Sequence, residues 1–241
     1  MPAVFIHGVP DTPRVWDQLL AELSRDDTVT LRLPGFGCPR PEGFAATKEA
    51  YVEWLAAEIA GIDGPIDLVG HDWGCMLVLR LASLQIPNLR SWACGNGPID
   101  RTYVWHDTAQ MWQTEGVGEQ VMEDFITAEV MQMVFEAEGM APEAAAAEAG
   151  DIDATMKACI LDLYRSAVHA GEEWADDLDH IDTPGLVLWA DADQYVGFEF
   201  GERLADRTGA HLVRLSCTHW WPTREPRAAA DALRKFWAAL G

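Results

Sequence analysis

Residues 66–74 read Ile66-Asp67-Leu68-Val69-Gly70-His71-Asp72-Trp73-Gly74. An apolar run closes on Gly-His-Asp-Trp-Gly, and the segment Cys75 to Leu84 that follows is patterned as a helix. Strand, sharp turn and helix, with two glycines at the spacing of G-x-S-x-G, is the layout of a nucleophile elbow. A turn that tight leaves no room for a Cβ at Gly70 or Gly74. The residue between them sits at the tip of a strained turn, and its side chain is pushed into a pocket. Here that residue is Asp72. A carboxylate that attacks makes an ester with the substrate carbon itself. That chemistry suits carbon bearing a leaving group, such as an epoxide or an alkyl halide. A chance Gly-rich turn is the plain alternative, since Asp is at home in turns. The strand before and the helix after favour the elbow.

The 241 residues predict one domain with room for an inserted subdomain and a large core. A net charge of −22 argues against nucleic acid and anionic membranes as partners and would repel a carboxylate substrate at long range. The five cysteines are scattered without C-x-x-C spacing, so neither a zinc site nor a disulfide framework is expected; Cys75 and Cys94 read as small core residues. No basic, apolar leader pattern and no membrane-length apolar run is visible, which predicts a cytoplasmic protein.

Outward from the elbow, Ala3-Val4-Phe5-Ile6 reads as a buried strand ending in His7-Gly8-Val9-Pro10. That loop would present the Val9 N–H opposite that of Trp73, as an oxyanion hole. Val15 to Leu23 has helical spacing, Thr28 to Leu33 is a β-rich run, and Tyr51 to Ile59 marks the helix before the elbow strand. Leu89 to Cys94 is another strand, broken by Gly95-Asn96-Gly97-Pro98. From Ile99 to Asp179 there are no β-branched runs; Met, Trp, Ala and Glu recur at helical spacing, and Pro142 opens one helix. Strands resume at Gly185–Trp189 and His211–Ser216, and a helix runs from Pro226 to Leu240. The expected organisation is an α/β core of residues 1–98 and 180–241 with a helical cap inserted at 99–179. Alternating strands and helices give a mostly parallel sheet covered on both faces, with the site at the C-terminal strand ends.

Each candidate residue falls at such an end. Asp191 and Asp193 follow one strand, and His219 follows the last. Nucleophile, acid, base is the chain order an elbow of this kind uses. Asp193, second acidic residue of its turn, is the expected acid that orients the His219 imidazole, and His219 the base.

His-Gly-x-Pro, Gly-His-Asp-Trp-Gly, a helical insertion and then Asp193 and His219 together resemble the α/β-hydrolase superfamily. More narrowly they resemble its aspartate-nucleophile branch of epoxide hydrolases, haloalkane dehalogenases and haloacetate dehalogenases, along the whole chain. Three departures narrow what the resemblance implies. Haloacetate dehalogenases clamp the carboxylate with Arg after the nucleophile and again a turn later, where this chain has Trp73 and Met76. Haloalkane dehalogenases grip the halide with two N–H donors. Trp73 matches one, but Val9 stands where the other is often Asn, so a cap tryptophan such as Trp105 or Trp112 would have to substitute. Epoxide hydrolases protonate the epoxide oxygen with cap tyrosines. Leu161-Asp162-Leu163-Tyr164-Arg165 is similar to their second cap-tyrosine segment, and Tyr103 lies at a fitting place for the first.

The resemblance therefore implies a hydrolase that needs neither metal nor organic cofactor and acts on a small apolar substrate and water. Epoxide hydrolysis is the leading expectation, with Tyr164, Tyr103, Trp73 and Trp105 against the substrate. Haloalkane dehalogenation is the alternative. A non-catalytic ligand-binding homologue is the third reading, disfavoured because a binding module has no use for a nucleophile paired to a base. The sequence leaves the oligomeric state open, a homodimer included.

Overall fold

The computed structural model describes residues 1–241. The chain alternates strand and helix from the start: β1 (Ala3–Ile6), α1 (Asp17–Leu23), β2 (Thr28–Leu31), α2 (Lys48–Ala60), β3 (Ile66–His71), α3 (Trp73–Ser83) and β4 (Leu89–Gly95). Six helices follow without a strand: α4 (Asp107–Gln113), α5 (Val117–Asp124), α6 (Ala128–Ala137), α7 (Pro142–Gly150), α8 (Ala154–Ser166) and α9 (Ala170–Trp174). Alternation resumes with β5 (Gly185–Ala190), α10 (Phe198–Thr208), β6 (His211–Leu215), α11 (Trp221–Arg224) and α12 (Pro226–Leu240).

The six strands form one parallel sheet in the order β2-β1-β3-β4-β5-β6. Parallel strands joined by crossover helices are covered on both faces, so their sequences lose polar alternation. Accordingly β1, β3 and β5 are buried at every residue, whereas the edge strands β2 and β6 are partly exposed. Asp67, fully buried in β3, is held by the Arg90 guanidinium at 2.9 and 2.6 Å and by Ser91, both on the neighbouring strand. A buried carboxylate is tolerable only with partners of that kind. The amphipathic α12 turns Ala229, Ala230, Leu233, Phe236 and Trp237 inward and packs on α1.

Two boundaries differ from the sequence expectation for local reasons. The β-rich run to Leu33 leaves the ladder after Leu31, because the Leu33 N–H donates to His7 Nε2 at 3.1 Å instead of to a strand. The helix after the elbow begins at Trp73, since Asp72 itself occupies the capping position with φ 54° and ψ −122°. No helix is long and apolar enough to cross a membrane.

Candidate active site

The elbow is built as its glycines require. A Cβ on Gly70 would run into the Gly74 carbonyl, and one on Gly74 into the Ile6 carbonyl. Glycine at 70 thus lets β3 and α3 fold back on one another, and glycine at 74 lets the start of α3 lie against the end of β1. Asp72, forced into positive φ at the tip, turns its carboxylate toward the loop after β1. There the Val9 N–H donates to Oδ1 at 2.8 Å.

His7 explains why that loop holds its shape. Its Nδ1 bonds the Gly8 carbonyl at 2.9 Å and its Nε2 accepts from Leu33. This donor–acceptor pair fixes one neutral tautomer. Burial lowers its pKa to about 4, so the staple stays neutral at ordinary pH.

His219 lies on the loop between β6 and α11, 4% exposed. Its Nε2 is 3.5 Å from Asp72 Oδ2, and its Nδ1 is 2.7 Å from Asp193 Oδ2. Burial disfavours the imidazolium, but Asp193 and then Asp72 outweigh it and raise the pKa to about 10. Asp193 is buried yet well supplied with donors. Asn96 Nδ2 reaches its Oδ2 at 2.6 Å, while the N–H groups of Tyr195 and Val196 reach Oδ1 at 2.7 and 3.2 Å. Burial would raise its pKa; His219 and these donors bring it below the ordinary value. Asp191, the competing acid in the sequence, instead points toward Arg214 at 3.9 Å. Behind the pair, buried His71 bonds the His219 carbonyl through Nε2 at 3.0 Å, tying the turn that carries Asp72 to the loop that carries His219.

The helices between β4 and β5, together with the loops at the C-terminal edge of the sheet, line a cavity of about 430 Å³ that is hydrophobic at 17 of 24 residues. Asp72 and His219 lie on its wall together with Val9, Trp73, Tyr103, Trp105, Trp112 and Tyr164, while Asp193 sits behind His219 and Asp191 is turned away toward Arg214. Asp72 is the one carboxylate, and neither Lys nor Arg is present. The one cationic group on the wall, His219, is already paired with Asp72 and Asp193, so the cavity suits a neutral, apolar molecule.

Tyr164 is 3% exposed, its ring 5.3 Å from Trp73 and Trp105 and 4.9 Å from Trp112. Burial and the nearby Asp72 carboxylate push its pKa well above the ordinary phenol value. The Tyr103 hydroxyl donates to the Tyr195 carbonyl at 3.3 Å. The Nε1 atoms of Trp73 and Trp112 are buried and have no hydrogen-bond partner. Trp105 stacks on Trp73 at 5.8 Å.

Sequence reasoning missed four members of the site. Asn96 lies in a Gly-Asn-Gly-Pro stretch read only as a break, although Asn at a strand end is a side chain able to reach the next strand's turn. Tyr195, two residues beyond Asp193, and His106 both line the cavity. His71 was noticed as part of the elbow but given no task. No group of three or more His, Cys, Asp or Glu is arranged to hold a metal ion.

A family model described as "Alpha/beta hydrolase family" matches residues 3–232. None of the curated proteins matches the chain. Similar solved structures include haloalkane dehalogenase DbeA from Bradyrhizobium elkani, with TM-score 0.74, 22% identity, and 99% of this chain and 91% of that one covered. Others are a Bacillus megaterium epoxide hydrolase in complex with an inhibitor (TM-score 0.74, 20% identity, 98% and 93% covered) and a thermophilic esterase from Thermogutta terrifontis (TM-score 0.78, 21% identity, 100% and 90% covered). Likeness at these identities speaks to the fold, and the three carry different activities.

Proposed function

The chain belongs to the alpha/beta hydrolase family, and from that premise we propose that it is an epoxide hydrolase acting through a covalent ester on Asp72. The observation that carries this reading is Tyr164: a buried hydroxyl, kept protonated by burial and by the Asp72 carboxylate, in the same cavity as that carboxylate. An opening epoxide needs a proton donor beside a nucleophile.

The steps balance as follows. A carboxylate is ionised at neutral pH and needs no base to attack. Asp72 Oδ2 attacks a ring carbon, the C–O bond breaks, and the electron pair goes to the ring oxygen, which takes the Tyr164 proton. Oδ1, already at the Val9 N–H, becomes the ester carbonyl oxygen. Asp72 has now lost its negative charge, so the His219 imidazolium loses one of its two anions and releases its proton to the tyrosinate. Neutral His219, oriented by Asp193, takes a proton from water as that water attacks the ester carbonyl. The N–H groups of Val9 and Trp73 stabilise the oxyanion. Collapse breaks the bond between Cγ of Asp72 and the substrate oxygen, and the departing alkoxide takes the proton of the hydroxyl that water left on Cγ, which returns the Asp72 carboxylate and the diol with the imidazolium in place.

Haloalkane dehalogenation is the second reading, favoured by one observation: Trp73 and Trp112 bring two buried, unpartnered N–H donors to one cavity. A departing halide takes two such donors and no proton. Terminal and disubstituted epoxides tested beside bromoalkanes of the same carbon skeleton, scored for diol and for free halide, decide between them. Halide release much faster than epoxide opening would reverse the ranking.

A further inference from the structure

Tyr103, the second tyrosine picked out by the sequence, has its hydroxyl engaged with the Tyr195 carbonyl. An oxygen opening beside Tyr164 therefore lacks a second free hydroxyl. Another donor stands on the same wall. His106 lines the cavity and is also the capping residue of α4, where its Nδ1 accepts the Ala109 N–H at 3.3 Å. A ring nitrogen that accepts is unprotonated, so the neutral imidazole carries its proton on Nε2. Nδ1 is the only atom of this ring hydrogen-bonded to the protein. The ring is held by aromatic contacts, 4.9 Å from Tyr195 and 6.4 Å from Trp112, and Tyr195 itself packs on His219 at 5.1 Å.

We infer that His106 is a second donor to the leaving oxygen, its Nε2–H hydrogen-bonding the epoxide oxygen beside the Tyr164 hydroxyl. Tyr164 transfers the proton; His106 keeps its own and stabilises the charge that gathers on the oxygen as the ring opens. Burial lowers the His106 pKa against the pull of Asp72, with His219 acting in the same direction as burial, so the ring enters as a neutral donor. The N-cap bond serves the site here, because it fixes which nitrogen carries the hydrogen.

This inference rests on the epoxide reading of the site, and the experiment separates the two. His106→Asn keeps an N-cap side chain at the start of α4 but removes the imidazole. Single-turnover measurement on one epoxide resolves alkylation of Asp72 from hydrolysis of the ester. Losing a hydrogen bond to a charged oxygen should slow alkylation by roughly tenfold to a hundredfold while the hydrolysis rate is far less affected. Equal slowing of both steps, or an unchanged alkylation rate, overturns the role. A second arm needs no turnover and no substituted His106. In Asp72→Asn protein labelled with ¹⁵N-histidine, His106 should show a protonated Nε2 and a bare Nδ1 at neutral pH. The Nε2 signal should shift when an unreactive vicinal diol fills the cavity. The opposite tautomer, or no shift at saturating diol, overturns the donor role. If no epoxide is opened by the natural protein, the epoxide reading fails and the role in ring opening fails with it, while this second arm still decides whether His106 Nε2–H is a donor facing the cavity.

Discussion

Replacing Asp72 with Asn should change the proton affinity of His219 by orders of magnitude, and the size follows from geometry. His219 Nε2 is 3.5 Å from Asp72 Oδ2, with both groups largely out of solvent. At that separation one unit charge contributes ~5 kcal/mol at an effective dielectric of about 20, a factor between ~10³ and ~10⁴ in proton affinity. The introduced amide would keep the Val9 N–H on its oxygen and turn its own donor toward Nε2, which also favours the neutral ring. Asn tolerates the positive φ of the elbow tip. The His219 midpoint should therefore drop from about 10 to near neutrality. NMR titration of ¹⁵N-histidine-labelled protein reads this directly, with His219→Gln identifying the signal among the seven histidines. Because the amide carries no charge, the Asp72→Asn side chain stands in for the Asp72 ester. A His219 that still titrates near 10 in this variant could not serve as a base at neutral pH, and the two-step mechanism would be wrong.

His219→Gln should alkylate Asp72 once and stop, giving one substrate equivalent per chain by intact mass, mapped between Ile66 and Arg80, while Asp72→Asn gives none. Tyr164→Phe should slow epoxide opening by roughly tenfold or more, as loss of a general acid, measured as single-turnover alkylation. Trp73→Phe should largely spare epoxide turnover, which needs only its backbone N–H, and a selective loss of halide release would favour the dehalogenase. Glu148, fully buried in α7 and bonded to Thr12 N–H and hydroxyl, is pushed up to about 7 by burial and by neighbouring Asp11. A folded pKa above the unfolded one means stability present below about 4.5 and lost as pH rises through about 7. Glu148→Gln should therefore gain on the natural protein across that window, by on the order of 3 kcal/mol, seen as a flatter dependence of Tm on pH between 5 and 9.

The parts of the site set by local chain geometry were legible in the sequence. Gly70 and Gly74 announce the elbow because no other residue fits those two approaches. His7, Asp72, Asp193 and His219 are found because each follows a strand in a parallel sheet, where all C-terminal ends share one edge. What could not be read depends on contacts between segments far apart. Asn96 reaches Asp193 across 97 residues, and His71 reaches the His219 carbonyl across 148. Nothing in the local pattern of either stretch encodes that partner. The cap is the hardest case. Only the folded chain shows that Trp112 leaves an indole N–H unpartnered while Tyr103 does not leave its hydroxyl free.

These contacts also bear on how, in the proposed scheme, one imidazole would be a carboxylate-bound cation at rest and a base one step later. Two carboxylates raise His219, and in the proposed scheme only one of them, Asp72, takes part in bond formation. Asp193 must hold its charge throughout. It is buried and tied by Asn96 and two backbone N–H groups, and those donors favour its ionised form at every stage. Asp72 accepts from the Val9 N–H on Oδ1, and the proposed scheme would use Oδ2 for the substrate. In that scheme alkylation would remove one charge and leave the other, so the nucleophile's own chemistry would set the protonation of the base. Asn96→Asp puts this to the test, because it replaces the donor on Asp193 with a second carboxylate. Competition between the two acids should raise the proton affinity of Asp193 and disorder the imidazole. Ester hydrolysis should then fall by roughly a hundredfold, the range associated with loss of general-base function, while alkylation of Asp72 falls far less. Equal loss in both steps, resolved by single-turnover mass spectrometry, would show that Asn96 supports the fold of the site rather than the charge on Asp193.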